Sequence, residues 1–425
     1  MARCLERGVA LAGTSGLGEA TLGTPTRFRS LASASAAFPL LLLFLLVIYT
    51  SPGLLVKQLG AIGPAQIVGG LALLALAAEL IGRRRGFALV WPESHLLLAF
   101  TWVAGLSCFT AVWARLSTQA SMDLVKYGVI YFVVVNTVSN TRRMRAVIAT
   151  MVIGGLVPAL GTIRNYMIGE IHPNERVHWI GIFANSNDLA YSMVLLVPLA
   201  AWLATRSRPW LRVVLGAVIL AYIATIYVTF SRGGLLGLLA VLLLFALRQK
   251  SRALRYLAIG MVCASVVFVA AFWTRSEGFT DLSDFTFRQR LTTIRTGIDM
   301  LFDRPFLGVG LGGSVAAFPM YAPPNVEFRE SLVTHNTLIQ AFSEVGFIGG
   351  SLFTALVVSA LYAARRRRID PAGTDEELGS CVDAVGVSLW GFVVCGLFGP
   401  YLLSWFPYIL IGLVSAARRI ARATA

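Results

Sequence analysis

The sequence predicts an all-α polytopic integral membrane protein of about twelve transmembrane helices, with one large non-cytoplasmic loop that carries short helices of its own. Three observations lead there. Hydrophobic residues make up 57% of the 425-residue chain and charged residues only 13%, and mean hydropathy is +0.74; soluble domains carry about a quarter charged residues. Apolar runs of about 20 residues, the length that crosses a bilayer core of ~30 Å, recur throughout. Basic clusters follow every second apolar stretch: Arg83 to Arg85; Arg142, Arg143 and Arg145; Arg206, Arg208 and Arg212; Arg248, Lys250, Arg252 and Arg255; Arg365 to Arg368; Arg418, Arg419 and Arg422. With Arg3, Arg7, Arg27 and Arg29 these are 24 of the 36 Lys and Arg, and short basic loops stay cytoplasmic. The net charge of +15 therefore reads as membrane anchoring and affinity for anionic lipid, with no nucleic-acid partner.

The elements follow in order. Residues 1–35, rich in Ser, Ala, Gly, Thr and Arg, read as a disordered cytoplasmic N-terminus. They are not read as a cleaved signal peptide, because the small-residue run Ala32 to Ala37 precedes the apolar stretch instead of following it. Spans are expected near 36–52, 61–82, 95–113, 120–138, 144–163, 188–205, 211–230, 233–247, 254–274, 335–363, 380–399 and 402–417. The chain then divides into helices one to nine over 36–274, a large loop over 275–334, helices ten to twelve over 335–417 and a cytoplasmic C-terminus over 418–425. An even number of spans puts both termini in the cytoplasm. Within the large loop, 288–302 has helical character, stopped by Arg304-Pro305 and a Gly-rich turn at 308–313. No strand precedes those glycines, so they read as a turn and not as a dinucleotide fingerprint. The five cysteines lie singly, without metal or disulfide spacing, and read as small hydrophobes, mostly buried.

Topology sorts the chemistry onto one face. Three spans start at the outer face from polar residues: Asn185-Ser186-Asn187-Asp188, Ser231-Arg232-Gly233-Gly234 and Thr334-His335-Asn336-Thr337. Asn, Ser and Thr are good N-caps. Helix N-termini also present free N–H groups and partial positive charge to an anion. Each alone is as well explained as a cap; their shared face favours an anion site. Arg232 lies between two apolar stretches with almost no loop, where a charge either snorkels or serves a site. Arg288, Arg290 and Arg295 lie on the loop helix; 288 and 295 share a face, 290 points elsewhere, and Arg290 is the first choice to face the site. Arg164 either joins the site or marks a helix end. His335 is the acid–base candidate, with an ordinary pKa of ~6.5; His172 and His178 are weaker, and His95 is on the cytoplasmic side. Asp281 and Asp284 could help hold an ion, but nothing makes a ligand set, and neither a metal nor a cofactor is expected.

The same segments resemble the O-antigen ligase and polymerase superfamily. Gly181-Ile182-Phe183-Ala184-Asn185-Ser186-Asn187 is similar to its G-x-F-x-N-P-N helix entry, with Ser186 in place of proline. Phe230-Ser231-Arg232-Gly233-Gly234 resembles its S-R-G segment. Arg290-Leu291 through Pro305-Phe306-Leu307-Gly308-Val309-Gly310 resembles R-x-x-x-W … P-L-L-G-V-G, with Ile294 at the tryptophan position. His335-Asn336-Thr337-Leu338-Ile339-Gln340, then Gly346-Phe347-Ile348-Gly349, resembles H-N-x-x-L-Q … G-x-x-G. The resemblance implies a GT-C-like glycosyltransferase at the periplasmic face of a Gram-negative inner membrane. Its donor would be O-antigen glycan on undecaprenyl pyrophosphate and its acceptor lipid A–core oligosaccharide, with inversion and without a cofactor. It implies that Arg232, Arg290 and His335 are essential, His335 as catalytic base and the two arginines at the pyrophosphate; from their place at the outer face, Arg288, Arg164, Asn185 and Asn187 are expected to join them there. An O-antigen polymerase and a protein O-oligosaccharyltransferase remain as alternatives. A transporter of anions or lipid-linked glycans is the rival of another class; against it, the sequence suggests no repeat and no broken helix with a charge at membrane depth.

Overall fold

The computed structural model describes residues 35–56, 58, 62–82, 84, 86–171, 176–248, 252–253, 255–256, 259–260, 263, 285–324, 332–365 and 375–424. Among them the regular structure is helical, with no strand. In chain order come α1 (Ala37–Thr50), α2 (Pro52–Leu55), α3 (Pro64–Gly82), α4 (Glu93–Ser107), α5 (Ala114–Thr137) and α6 (Thr141–Met167). A 3-10 turn (Gly181–Phe183) leads into α7 (Ser186–Thr205), α8 (Pro209–Val228) and α9 (Arg232–Leu247). Then come α10 (Phe285–Asp303), α11 (Ser314–Tyr321), α12 (Thr337–Ala363), α13 (Glu376–Gly396) and α14 (Trp405–Thr424). Six described helices, α3, α6, α7, α8, α12 and α13, are long and apolar enough to cross a membrane, and α1 and α9 are shorter apolar helices. The ninth expected span, 254–274, falls almost wholly outside the described residues.

Helix α7 is the axis of the bundle. It is buried along most of its length and packs against α6, α8, α9 and α13. A helix apolar on all sides can bury itself only in this way. Its outer turn stacks Tyr191 on Tyr401, ring centroids 3.9 Å apart. Close approach between α9 and α13 needs Gly237, since a Cβ there would lie 2.2 Å from Cys395 Sγ. Cys381 and Cys395 are buried as expected, Cys108 is half-buried and Cys263 is exposed.

Described members of the basic clusters meet acidic partners at one end of this bundle. Arg145 pairs with Glu377 at 2.7 Å and Arg206 with Glu376 at 3.3 Å. Arg418 Nη1 donates to both oxygens of the fully buried Glu93 at 2.8 and 2.9 Å. Asp375 caps α13 and accepts from Thr141.

Helix α12 is broken beside the buried Glu344, which overturns the expectation of no broken helix with a charge at membrane depth. Gly346 has φ 69° and ψ −173° inside it. The break interrupts the helical hydrogen bonding around it, and the Gly-rich turn after α10 takes up the groups at the break. Val309 N–H donates to the Ser343 carbonyl, Gly310 N–H to the Glu344 carbonyl, and Phe347 N–H to the Pro305 carbonyl, at 2.7 to 3.0 Å. The buried Glu344 side chain accepts from Gly312 N (2.8 Å) and Ser314 Oγ (2.6 Å), with Gln340 beside it. The glycines at 308, 310 and 312 all have positive φ, so this segment is a turn and no dinucleotide loop. The break is thus filled by the protein's own backbone.

Candidate active site

At the end of the bundle opposite the basic clusters, three helix N-termini converge, and their caps hold them. Asn185 Oδ1 accepts from Asn187 N at 2.8 Å and caps α7. Ser231 Oγ accepts from Gly234 N at 3.2 Å and caps α9. Asn336 Oδ1 accepts from Leu338 N and Ile339 N at 2.9 and 3.0 Å and caps α12. Side chains tie the three ends together. Asn187 Oδ1 accepts from Ser231 Oγ at 2.8 Å, joining α7 to α9. Tyr401 Oη donates to the Asn187 carbonyl at 3.2 Å, and Tyr401 N donates to Thr337 Oγ1 at 2.9 Å, joining α7 to α12.

Three arginines approach this meeting point. Arg176 donates from Nη2 to Asn187 Oδ1 at 2.6 Å and from Nε to the Thr229 carbonyl at 3.1 Å. Arg232 is the first residue of α9 and half-buried. It follows a sharp turn at Phe230, a non-glycine residue at φ 49°. Such a conformation costs about 1–2 kcal/mol and aims the Ser231-Arg232 step at the site. Arg290 is half-buried on the face of α10 that also carries the buried Thr293, Gly297 and Met300. That face packs on α12, with Gly297 against Thr334 and Ile339.

His335 sits where these meet, half-buried in front of α12. Burial first, then the positive charges of Arg290 and Arg176, hold its imidazole down at about 4. The ring is therefore neutral, able to accept a proton, and surrounded by groups that favour an anion. An anion bound to these arginines would offset their effect and make the imidazole more basic.

The remaining candidates fall elsewhere. Arg288 and Arg295 are exposed on α10. Arg164 is exposed in the last turn of α6, where a cation suits the helix C-terminus, and its guanidinium donates to Asn165. His178 Nδ1 lies 2.8 Å from the Trp179 carbonyl. His172, Asp281 and Asp284 lie outside the described residues. Among the described residues no cluster of His, Cys, Asp and Glu has the makings of a metal site. Sequence reasoning passed over Arg176 and Tyr401. Neither carries a local signal, because their partners, Asn187, Thr229 and Thr337, are distant in the chain.

Comparison with known proteins points the same way. Residues 217–354 match the family described as O-Antigen ligase. This stretch runs from within α8 to within α12 and so contains Arg232, Arg290 and His335. The Exopolysaccharide production protein ExoQ of Rhizobium meliloti (strain 1021) is 26% identical over 357 residues, covering 77% of this chain and 78% of the relative. Both matches support a likeness to the O-antigen ligase superfamily, which the family model places over 217–354.

Proposed function

We propose that the protein transfers a glycan from undecaprenyl pyrophosphate to a hydroxyl of a second glycan, lipid A–core oligosaccharide in the ligase reading, on the periplasmic side of a Gram-negative inner membrane. The topology that goes with this reading has about twelve spans and both termini in the cytoplasm. The observation that carries it is the set of three capped and linked helix N-termini, with Arg176 bonded to Asn187, Arg232 opening α9, and Arg290 and Arg176 acting on a neutral His335.

Chemically, the bond between the sugar's anomeric carbon and the diphosphate oxygen breaks, and a bond between that carbon and the acceptor oxygen forms on the opposite face. The electron pair leaves with undecaprenyl pyrophosphate. The acceptor proton goes to His335. Arg232 and Arg290, with Arg176, bind the diphosphate oxygens and stabilise the charge that develops there. Asn185 and Asn187 hold the α7 N-terminus at that anion, and Arg288 and Arg164, exposed elsewhere, take no part in it. Guanidinium suits the task because its planar donors bind phosphate in pairs. Arg232→Lys keeps the charge and loses the paired donors, so turnover should fall at least about tenfold. Unchanged turnover would reduce Arg232 to a point charge.

The pH profile gives a second test. In the free enzyme His335 loses its proton near pH 4, so the proton-accepting form is present above that value and is lost only below it. The acid limb of kcat/KM, which reports the free enzyme, should lie well below the ordinary histidine value of ~6.5. With the diphosphate bound, the limb of kcat should move to higher pH. A kcat/KM limb at the ordinary value would mean that the arginines do not act on this ring.

A second acceptor has specific support, because the relative named above is an exopolysaccharide production protein. In that case a second lipid-linked glycan takes the place of lipid A–core. Purified protein in liposomes, given the glycan donor and both acceptors in EDTA, separates the readings. A band shift of lipid A–core identifies a ligase. Longer lipid-linked chains with untouched lipid A–core identify a polymerase. No covalent product from either acceptor would overturn both readings and leave the protein-acceptor and transport alternatives.

A further inference from the structure

Among the described residues two carboxylates, Glu93 and Glu344, are fully buried, and both are satisfied. Glu93 receives two donations from Arg418. Glu344 receives donations from Gly312, Ser314 and Gln340. Asp188 breaks the pattern. It lies in the first turn of α7, next to Asn187, and is half-buried at the site. It is close enough to Arg176, Tyr191 and Tyr401 to interact with all three electrostatically. Yet the hydrogen bond it takes part in among the described residues is through its backbone carbonyl, from Ser192 Oγ. No ion pair or hydrogen bond engages its carboxylate there.

A half-buried carboxylate to which no protein group donates takes its hydrogen bonds from water or from a ligand, and the helix dipole at a first turn answers its charge without giving it a donor. The carboxylate is placed for a donor that the protein itself does not supply. The chemistry of that donor is restricted. A diphosphate is repelled by a carboxylate and is drawn to Arg176, Arg232 and Arg290 instead. A sugar presents uncharged O–H donors, and two neighbouring hydroxyls match the two oxygens of one carboxylate.

We propose that Asp188 is a sugar-binding residue of the site, accepting hydrogen bonds from hydroxyls of a substrate glycan beside the arginine-bound diphosphate. The inference rests on the glycosyl-transfer reading. Either the donor sugar or the acceptor sugar has this chemistry, and kinetics tells them apart. The full-length protein in liposomes, as wild type, Asp188→Asn and Asp188→Ala, is titrated with each substrate in turn. A carboxylate–hydroxyl bond predicts a rise of about 10- to 100-fold in KM for one of the two substrates in Asp188→Ala, with kcat little changed. Asp188→Asn, which keeps an acceptor oxygen, falls between the two. A rise for the acceptor places the residue under the attacking sugar, and a rise for the donor places it under the leaving one. The melting temperature of both variants should stay close to that of wild type, because no protein group donates to this carboxylate. Unchanged KM for both substrates overturns the proposal. So does an activity loss that only follows a lowered melting temperature, which would make Asp188 a helix-end residue. A wild-type protein that makes no product overturns the transfer reading instead, and this inference with it.

Discussion

Replacing His335 with alanine should lower turnover by about 10²–10⁴-fold, the usual contribution of a positioned proton acceptor. Donor binding should be nearly kept, because in the proposed mechanism arginines and helix ends hold the diphosphate and the imidazole does not. Two features of the environment make this effect large. Burial beside Arg290 and Arg176 keeps the ring neutral before substrate arrives. The cap at Asn336 and the bonds from Thr337 to Gly399 and Tyr401 then fix the start of α12 just behind it. A His335→Ala protein with wild-type melting and wild-type turnover would remove the general-base role.

Gly346→Ala should be the most damaging small substitution in the fold. The glycine's conformation, φ 69° and ψ −173°, is one that residues with a Cβ rarely adopt. A Cβ there would lie 2.3 Å from the backbone carbon and oxygen of Phe306 and 2.6 Å from Leu307 N. Backbone cannot step aside as a side chain can. Gly308 answers from the other partner, where a Cβ would be 2.5 Å from the Glu344 carbonyl carbon. The variant should lose about 3 kcal/mol from strain alone, together with the bonds that repair the α12 break. We expect a lower melting temperature in detergent and, because α10 is released from α12, weaker donor binding through Arg290. Wild-type melting of Gly346→Ala would show that the turn and the broken helix do not depend on each other.

These two residues also show how far the sequence could be read. His335 and Arg232 stood out because polar and charged residues at the start of an apolar span are conspicuous against their surroundings. The helix 288–302 and its stop at Pro305 were legible from periodicity and from the breaker. Helical spacing set Arg290 apart from Arg288 and Arg295 without saying which face meets the site; Arg290, the first choice, is the half-buried one of the three, and Arg288, also expected at the pyrophosphate, is exposed. The break in α12 was not legible, because an apolar run containing a glycine reads the same whether the helix continues or kinks. What distinguishes the cases is a partner backbone, at Phe306 to Gly310, supplied some forty residues earlier. Arg176 was hidden for the same reason, among several polar residues of one loop, until Asn187 and Thr229 gave it an address. Arg164, from the same loop, was the more noticeable cation and lies exposed at a helix end.

The account's central claim is that one end of the bundle binds a lipid diphosphate and moves its glycan to a hydroxyl, with His335 taking the proton. The most direct measurement is a single-turnover experiment in liposomes that follows glycan transferred and undecaprenyl pyrophosphate released together, for wild type and for His335→Ala saturated with donor. The account predicts one undecaprenyl pyrophosphate released per glycan transferred by the wild type, and a bound but almost unreacted donor in the variant. Transfer at the wild-type rate by the variant, or donor carried across the bilayer with its glycan still attached, would contradict it.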